Sequence, residues 1–268
     1  MLAETKKFKK YLQSSDLKET TIKNYLWHLE KFFTWLEDKK LSENNLREYF
    51  KILLKKYPQV SSINLRLIIL NNYLKFQNKR FRFALLSNKP NDLKIISQSQ
   101  LQAFLVAPLK NKNLIGLRDK ALLELLYSSG LKVGQIIKIK LSQIDYIKKQ
   151  IIFDSKNILD IEPTAWFYLQ KYLSKRKKLF IDASDNPWLF INFDRAQKNP
   201  NRQLSIRSVE RLLNKYAKLS NSFIILNPQI LRNTLAYKLK QEGANYHELK
   251  KTLHFKTKLG AKEYLKRI

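Results

Sequence analysis

NPQILRNTLAYKLKQEGANYHELKKTLHFKTKLGAKEY, residues 227–264, carries the clearest local signals in the chain. Asn227 suits a helix cap, Pro228 suits the first helical position, and Gly243 is a natural stop. The pattern therefore predicts one helix between these residues. A second helix is predicted at about residues 246–253, followed by a short turn and a last helix.

Side chains suited to phosphate chemistry recur along this stretch. Gln229 and Arg232 are three residues apart on the first helix, so their side chains share a face. Arg232 is a candidate anchor for an anion, and Tyr264 lies on the last helix. An arginine, a neighbouring polar cluster and a tyrosine on the last helix would suit chemistry on a phosphodiester.

The overall charge indicates a polyanionic partner. The 268 residues include 52 Lys and Arg against 22 Asp and Glu, which gives a formal charge of +30. Such an excess repels itself unless a polyanion compensates it, and nucleic acid is the usual partner. A membrane surface or RNA is the competing interpretation, and duplex DNA is the one we favour.

Several protein classes are not expected from the composition. No apolar run approaches the 18 or so residues that a membrane-spanning helix needs, and residues 1–10 lack a signal-peptide pattern. The chain has no Cys, which argues against disulfides, zinc fingers and thiol catalysis, and its 5 Gly argue against a Walker or Rossmann loop. We expect a cytoplasmic, nucleoid-associated protein without membrane contact.

The N-terminal part is helical in pattern. Residues 3–79 contain four amphipathic segments, and Pro58 ends the third of them. Residues 1–84 are therefore predicted to form a compact four-helix bundle, and residues 85–97 to form a linker. Residues 98–268 form the second predicted domain.

The second domain is predicted to be rich in helices with a small antiparallel sheet. Strands are expected at residues 151–153 and 158–161, with Lys156 at the tip between them. Helices are expected at residues 117–129, 133–139 and 164–175 and from Leu204 onward, with a short apolar strand or extended piece at residues 188–192. The predicted fold class is mainly α with a small antiparallel sheet.

Three runs resemble the tyrosine recombinases of the Xer and phage-integrase type. They are GLRDKALLELLYSSGLKVGQIIKIKLSQID (residues 116–145), the T-x-x-x-Y…F-x-x-W-L phrase of residues 21–36, and the 227–264 stretch, which is similar to the family's H-x-L-R-H…G-H/W…Y block. The resemblance extends over essentially the whole chain, with the pieces in the family's order. The resemblance implies a DNA-gripping bundle followed by a tyrosine-recombinase-like catalytic domain.

The resemblance also implies a mechanism without metal or nucleotide cofactor. In that family a tyrosine attacks the scissile phosphate and forms a 3′-phosphotyrosine, while two arginines neutralise the phosphate oxygens. A lysine on a hairpin protonates the 5′-hydroxyl leaving group, and histidines assist. Such chemistry needs donors placed in advance around the charge that develops on the phosphate.

The catalytic positions carry over with substitutions. Tyr264 stands at the nucleophile position, Arg232 at the second arginine, and Lys156 at the hairpin lysine. The first arginine falls on Lys132, which keeps the charge but loses the bidentate fork. Gln229 stands in place of the first histidine.

Further substitutions lie beside these positions. Asn233 follows the second arginine, where the family often has histidine, and Phe255 takes the later His or Trp position. His254 stands where the family has glycine. Because losing one placed donor typically costs about 10²–10³ in rate, the substitutions predict impaired catalysis. Two hypotheses follow: a slow or conditional recombinase, or an inactive recombinase-like protein that binds DNA in a regulatory or chromosome-organising role.

Basic side chains on both domains are candidate DNA contacts. A homo-oligomer on DNA or a second recombinase is a further expected partner, although the chain ends soon after Tyr264, at Ile268, where family members commonly continue into a helix that docks on a neighbour. The aspartates are scattered, which argues against a two-metal nuclease. The candidate DNA-binding residues are Lys18, Lys23, Arg66, Arg207, Arg211 and Lys215.

Overall fold

The computed structural model forms two compact units, Met1–Pro90 and Asn91–Ile268. It describes residues 2–87, 93–155, 157–177, 186–193, 203–220 and 225–268. Within these ranges, none of the helices combines the length and the apolar character that crossing a membrane requires.

The first unit is the predicted four-helix bundle. Ser42 begins the third helix by accepting a hydrogen bond from the backbone nitrogen of Asn45 at 3.3 Å. Phe8, Phe32 and Tyr73 are among the large side chains that fill the core, each at most 1% exposed. The helices are α1 (Leu2–Gln13), α2 (Glu19–Leu36), α3 (Glu43–Lys56) and α4 (Val60–Phe76).

An extended segment after α4 packs back onto the bundle. Asn71 exchanges two hydrogen bonds with the backbone of Phe83, at 2.8 and 2.9 Å, and Asn64 does the same with Leu86, at 2.9 Å each. Phe83 is 8% exposed and belongs to the core of the first unit. The start of the predicted linker, residues 85–97, is therefore held to α4 by the side-chain amide of Asn64.

The second unit is mainly helical with one small sheet, as predicted. Three antiparallel strands pair in the order β1-β2-β3, with Ile151 opposite Leu159. The strands are β1 (Ile144–Asp145), β2 (Gln150–Asp154) and β3 (Asn157–Asp160). The helices are α5 (Gln98–Val106), α6 (Leu114–Ser128), α7 (Val133–Ile136), α8 (Pro163–Arg176), α9 (Ile206–Leu219), α10 (Pro228–Gln241), α11 (Tyr246–Thr252) and α12 (Lys258–Arg267).

Element ends differ from the prediction where local capping decides them. The helix expected at residues 133–139 ends at Ile136. The helix expected from Leu204 begins at Ile206, because the side chain of Ser205 accepts a hydrogen bond from the backbone nitrogen of Ser208 at 3.0 Å. The two-residue strand β1 was not predicted, since so short a strand has no periodicity.

Helix α6 lies at the centre of the second unit, and its charged residues are buried in pairs. Arg118 donates to Asp119 and to the carbonyl of Ile191, each at 2.8 Å, and the hydroxyl of Tyr216 donates to Asp119 at 2.7 Å. Each buried charge in this group therefore has a partner. Because Asp119 on α6 accepts a hydrogen bond from Tyr216 on α9, this pair of charged residues also helps to orient the two helices.

Gly116 is required for the approach of α6 to the preceding turn. A Cβ atom on Gly116 would lie 1.8 Å from the carbonyl oxygen of Asn111, which is backbone and cannot rotate away. We expect Gly116→Ala to lower the free energy of unfolding by about 3 kcal/mol, measured by urea denaturation. The control is Gly134→Ala, whose new Cβ would meet only Ile206 at 3.8 Å. A change within about 1 kcal/mol is expected for the control, and equal losses in both variants would contradict the explanation.

Candidate active site

Helix α10 begins and ends at the residues that the sequence indicated. The side chain of Asn227 accepts a hydrogen bond from the backbone nitrogen of Ile230 at 3.0 Å, and Pro228 occupies the first turn. Gly243 follows the helix with φ 87°, in the left-handed region that glycine adopts easily. These ends fix the face of α10 that carries Gln229 and Arg232.

A cleft of about 350 Å³ brings three of the predicted site residues together. Lys132 reaches it from the residue before α7, where the side chain of Gln135 accepts a hydrogen bond from the Lys132 backbone nitrogen at 3.1 Å. Gln229 and Arg232 reach it from α10. The remaining lining residues are Leu131, Val133, Glu210, Asn227 and Pro228.

Arg232 is a buried cation at the edge of this cleft. It is 4% exposed, and its two terminal nitrogens donate to the carbonyls of Gly130 and Leu253. Its guanidinium lies 5.2 Å from the centre of the Phe255 ring. Burial lowers the pKa of Arg232, and the neighbouring Tyr264 opposes that shift.

The guanidinium of Arg232 belongs to no ion pair in the described part of the chain, since no carboxylate there lies within ion-pair distance of it. A buried cation is costly unless an opposite charge or strong hydrogen bonds compensate it. Since backbone carbonyls occupy only part of its donor fork, an anion in the cleft can supply the missing charge.

Tyr264, on α12, forms a small hydrogen-bond network with Gln229 and Asn233 on α10. Its hydroxyl donates to the amide oxygen of Asn233 and accepts from Nε2 of Gln229 at 3.0 Å. Gln229 also donates to Asn233 at 2.9 Å. Burial raises the pKa of Tyr264, while Arg232 and the Gln229 hydrogen bond act in the opposite direction. Gln229 therefore touches both the cleft and the candidate nucleophile.

His254 and Phe255 form the turn between α11 and α12. The backbone nitrogens of His254 and Phe255 donate to the carbonyls of Lys251 and Lys250, which closes the end of α11 with His254 at φ 50°. Burial lowers the pKa of His254, and the charge of Arg232 acts in the same direction, while a hydrogen bond between the ring and the backbone of Ser129 opposes the shift.

Lys156, the candidate general acid, lies outside the described residues. The two strands beside it are present as β2 and β3, with a hydrogen bond of 3.0 Å from the backbone nitrogen of Asn157 to Asp154 at the turn. The role of Lys156 stays a prediction.

The candidate DNA-binding residues of the first unit differ in how firmly neighbouring residues hold their side chains. Lys18 and Lys23 are exposed, directly before α2 and on it. Arg66 on α4 is half-buried, with Nη1 donating to the carbonyl of Ser62 at 2.5 Å and its guanidinium 3.6 Å from the Tyr57 ring centre. Arg66 is therefore the more rigid of these three cations.

In the second unit, Arg207, Arg211 and Lys215 are exposed on α9 at intervals of four residues, so they share one face. Glu210 lies on the same helix and lines the cleft beside Lys132. We did not predict Glu210 as a site residue, because a single acid on a basic helix gives no signal in the sequence.

Tyr127 is the matched control for Tyr264, because both rings pack on the cluster formed by α10 and α11. The buried hydroxyl of Tyr127 has no hydrogen-bond partner in the described part of the chain. We expect Tyr127→Phe to raise the free energy of unfolding by about 1 kcal/mol, since an unpaired buried hydroxyl is removed. Thermal denaturation at equal protein concentration measures this, and a loss of stability would show that the hydroxyl has a partner.

Protein-family models match both units of the chain. The model described as "Phage integrase family" matches residues 94–267, and the one described as "Phage integrase, N-terminal SAM-like domain" matches residues 5–81. Tyrosine recombinase XerA of Pyrococcus horikoshii is 26% identical over 254 residues, covering 92% of this chain and 82% of the relative. Tyrosine recombinase XerC of Thermodesulfovibrio yellowstonii is 34% identical over 146 residues, covering 51% of this chain and 46% of the relative.

Solved structures share the fold at low sequence identity. The integrase of transposon Tn1549 in complex with circular intermediate DNA has a TM-score of 0.75 at 15% identity, over 97% of this chain and 94% of that one. A lambda integrase dimer bound to a core site has a TM-score of 0.69 at 15% identity, over 99% and 95% of the two chains. These structural similarities show that the fold is shared, whereas the matches to family models indicate common ancestry.

Proposed function

Because the chain belongs to the phage integrase family, we propose that it binds double-stranded DNA and breaks and rejoins one strand through a 3′-phosphotyrosine on Tyr264. The observation that carries the proposal is the convergence at Gln229. This residue lines the cleft that holds Arg232 and Lys132, and it also donates a hydrogen bond to the hydroxyl of Tyr264. A phosphate in the cleft would thus meet two cations, with the nucleophile one hydrogen bond away through Gln229.

Each proposed role follows from the chemistry of the side chain. The Tyr264 oxygen attacks phosphorus, the bond from phosphorus to the 5′ oxygen breaks, and the hydroxyl proton leaves to solvent. Arg232 and Lys132 neutralise the phosphate oxygens, and Gln229 donates a hydrogen bond to the same group. Lys156 gives its proton to the 5′ oxygen, and His254, which interacts electrostatically with Arg232, assists. No metal or nucleotide takes part in this scheme.

A second candidate function is DNA binding without cleavage, in a regulatory or chromosome-organising role. It is favoured because the hydroxyl of Tyr264 donates its hydrogen bond to the amide oxygen of Asn233. An amide cannot take up that proton as a histidine could. In this case the same cations hold DNA while the tyrosine stays protonated.

A nicked suicide duplex separates the two candidates. We expect a covalent protein–DNA adduct with the wild-type protein and with Tyr127→Phe, and none with Tyr264→Phe. Duplex binding without any adduct would support the second candidate. If duplex binding itself is absent or insensitive to salt, both candidates fall, because affinity for many phosphates declines steeply as salt rises.

Glu210 provides a test of where the phosphates lie. The carboxylate lines the cleft beside Lys132, so it opposes an anion there. We expect Glu210→Gln to tighten duplex binding by a few-fold at low salt and to steepen the slope of log K against log salt by up to about 1. Fluorescence anisotropy over a salt series measures both quantities. Glu4→Gln, an equal charge change in the other unit, is the control, and equal effects would place the DNA away from this cleft.

The same proposal includes the domain organisation, the DNA contacts and the partners of the chain. The first domain is assigned residues 1–84, the linker residues 85–97, and the catalytic domain residues 98–268. Contact with DNA is assigned to Lys18, Lys23, Arg66, Arg207, Arg211 and Lys215. A second copy or a second recombinase completes the assembly on DNA, in keeping with the dimer named for lambda integrase, and the protein is assigned to the nucleoid.

A further inference from the structure

Asn233 joins two parts of the second unit that are distant in the sequence. The residue is 4% exposed, and its amide nitrogen donates to the carbonyl of Lys94 at 3.0 Å. Its amide oxygen accepts from the hydroxyl of Tyr264 and from Nε2 of Gln229. Both ends of the amide are therefore in use.

The carbonyl of Lys94 fixes the direction of this amide. A carboxamide has one donor end and one acceptor end, and a carbonyl can only accept. The amide nitrogen must therefore face Lys94, which leaves the oxygen of Asn233 directed at Tyr264. If the Lys94 carbonyl moved away, nothing else among the described contacts would hold the amide nitrogen in this direction.

A second contact ties the same segment to α10. The hydroxyl of Thr234 accepts a hydrogen bond from the backbone nitrogen of Ile96 at 3.2 Å and donates to the carbonyl of Ile230 at 2.9 Å. Ile96 is 5% exposed and belongs to the core of the second unit. Residues 93–97, the first described residues of the second unit, are thus held by two consecutive residues of α10.

We propose that Asn233 is a positioning residue that couples residues 93–97 to the hydroxyl of Tyr264. Lys94 orients the Asn233 amide, and the amide oxygen then holds the phenol as a hydrogen-bond donor. A shift of the chain where it enters the second unit releases that hold. The catalytic meaning of this coupling rests on the proposed function, whereas the coupling itself does not.

The coupling controls the protonation of the nucleophile. A phenol that donates to a neutral amide oxygen is stabilised in its protonated form. The hydrogen bond from Gln229 acts in the opposite direction, because a donor to the phenol oxygen stabilises the phenolate. The charged groups that act on this phenol are Arg232 on α10 and Arg267 on α12, with His254 next to Arg232. None of them replaces the amide oxygen as an acceptor of the hydroxyl proton.

The two amides therefore give opposite predictions for one measurement. In protein labelled with ¹³Cζ tyrosine, the Tyr264 signal is assigned with Tyr264→Phe and titrated by NMR without DNA. Asn233→Ala is expected to lower the pKa of Tyr264, and Gln229→Ala to raise it. Shifts of the same sign in both variants would overturn the proposal, since general loosening of the site would move both alike. Asn233→Leu, which is close in size, replaces Asn233→Ala if the latter fails to fold.

Thr234→Ala tests the link to residues 93–97. It removes the acceptor of the Ile96 amide, so exchange of that amide is expected to quicken about fivefold, the effect of one hydrogen bond. The pKa of Tyr264 should fall in this variant as well, although Thr234 does not contact the phenol. Faster exchange at Ile96 with an unchanged Tyr264 titration would overturn the coupling.

The suicide duplex keeps this inference distinct from the proposed function. If the NMR shifts occur as expected but no adduct forms, the coupling stands and the catalytic proposal fails. If adducts form on Tyr264 while both amide variants shift its pKa alike, cleavage stands and the coupling fails. If both hold, the pH profile of adduct formation should move to lower pH in Asn233→Ala.

Discussion

Lys132→Arg is expected to speed formation of the covalent adduct by about 10²-fold, the usual worth of one well-placed donor to the transition state. Lys132 is exposed and lines the cleft beside Arg232, so a longer side chain has room to enter. Lysine brings a single ammonium group to the phosphate, whereas arginine brings a planar fork that binds two of its oxygens. Single-turnover kinetics on the nicked duplex measure the change.

Lys138→Arg is the matched control for this gain. Lys138 is also exposed, follows α7 and is absent from the cleft lining. We expect its rate to stay within about twofold of wild type, because the overall charge is unchanged. An equal rate for Lys132→Arg and wild type, with duplex binding intact, would show that Lys132 does not face the scissile phosphate.

Arg232→Lys is expected to slow adduct formation at least about 10²-fold and to lower the free energy of unfolding by about 2 kcal/mol. Arg232 donates to two carbonyls from different elements, Gly130 after α6 and Leu253 after α11. A lysine ammonium in the same place cannot reproduce the planar fork, so at least one buried carbonyl loses its donor. Urea denaturation and single-turnover kinetics measure the two losses.

Arg80→Lys, at an exposed residue after α4 that is not among the candidate DNA contacts, serves as the control and should change neither quantity by more than about 0.5 kcal/mol. Comparing the loss of cleavage rate with the loss of stability in Arg232→Lys separates the catalytic role of Arg232 from its structural role. A loss of stability with an unchanged cleavage rate would reduce Arg232 to a structural clamp. A loss of rate in folded protein is expected if the guanidinium also neutralises the phosphate.

The helices of this protein could be predicted because their signals are local. Asn227 and Pro228 lie within one turn of the α10 residues that they order, and Gly243 lies beside its end. The spacing of Gln229 and Arg232 likewise predicted their shared face. The residues proposed to bear the chemistry could therefore be named from a single stretch and the family resemblance.

The contacts that decide how these residues act could not be predicted, because they are long-range. Asn233 was interpreted as a lost histidine, but it holds Tyr264 from 31 residues away and is itself oriented by Lys94, 139 residues away. The Gly130 carbonyl that receives Arg232 is 102 residues from it. No periodicity encodes such pairs, although the i, i+4 spacing of Gln229 and Asn233 was a usable sign that they touch.

Identification of the covalent peptide tests the central claim most directly. After wild-type protein has reacted with the nicked duplex, the adduct is digested with nuclease and protease and analysed by mass spectrometry. We predict a nucleotide attached through a phosphodiester to the tyrosine of the peptide that contains Tyr264. Efficient duplex binding with no modified peptide, or modification of a different residue, would contradict the assignment of Tyr264 as the nucleophile.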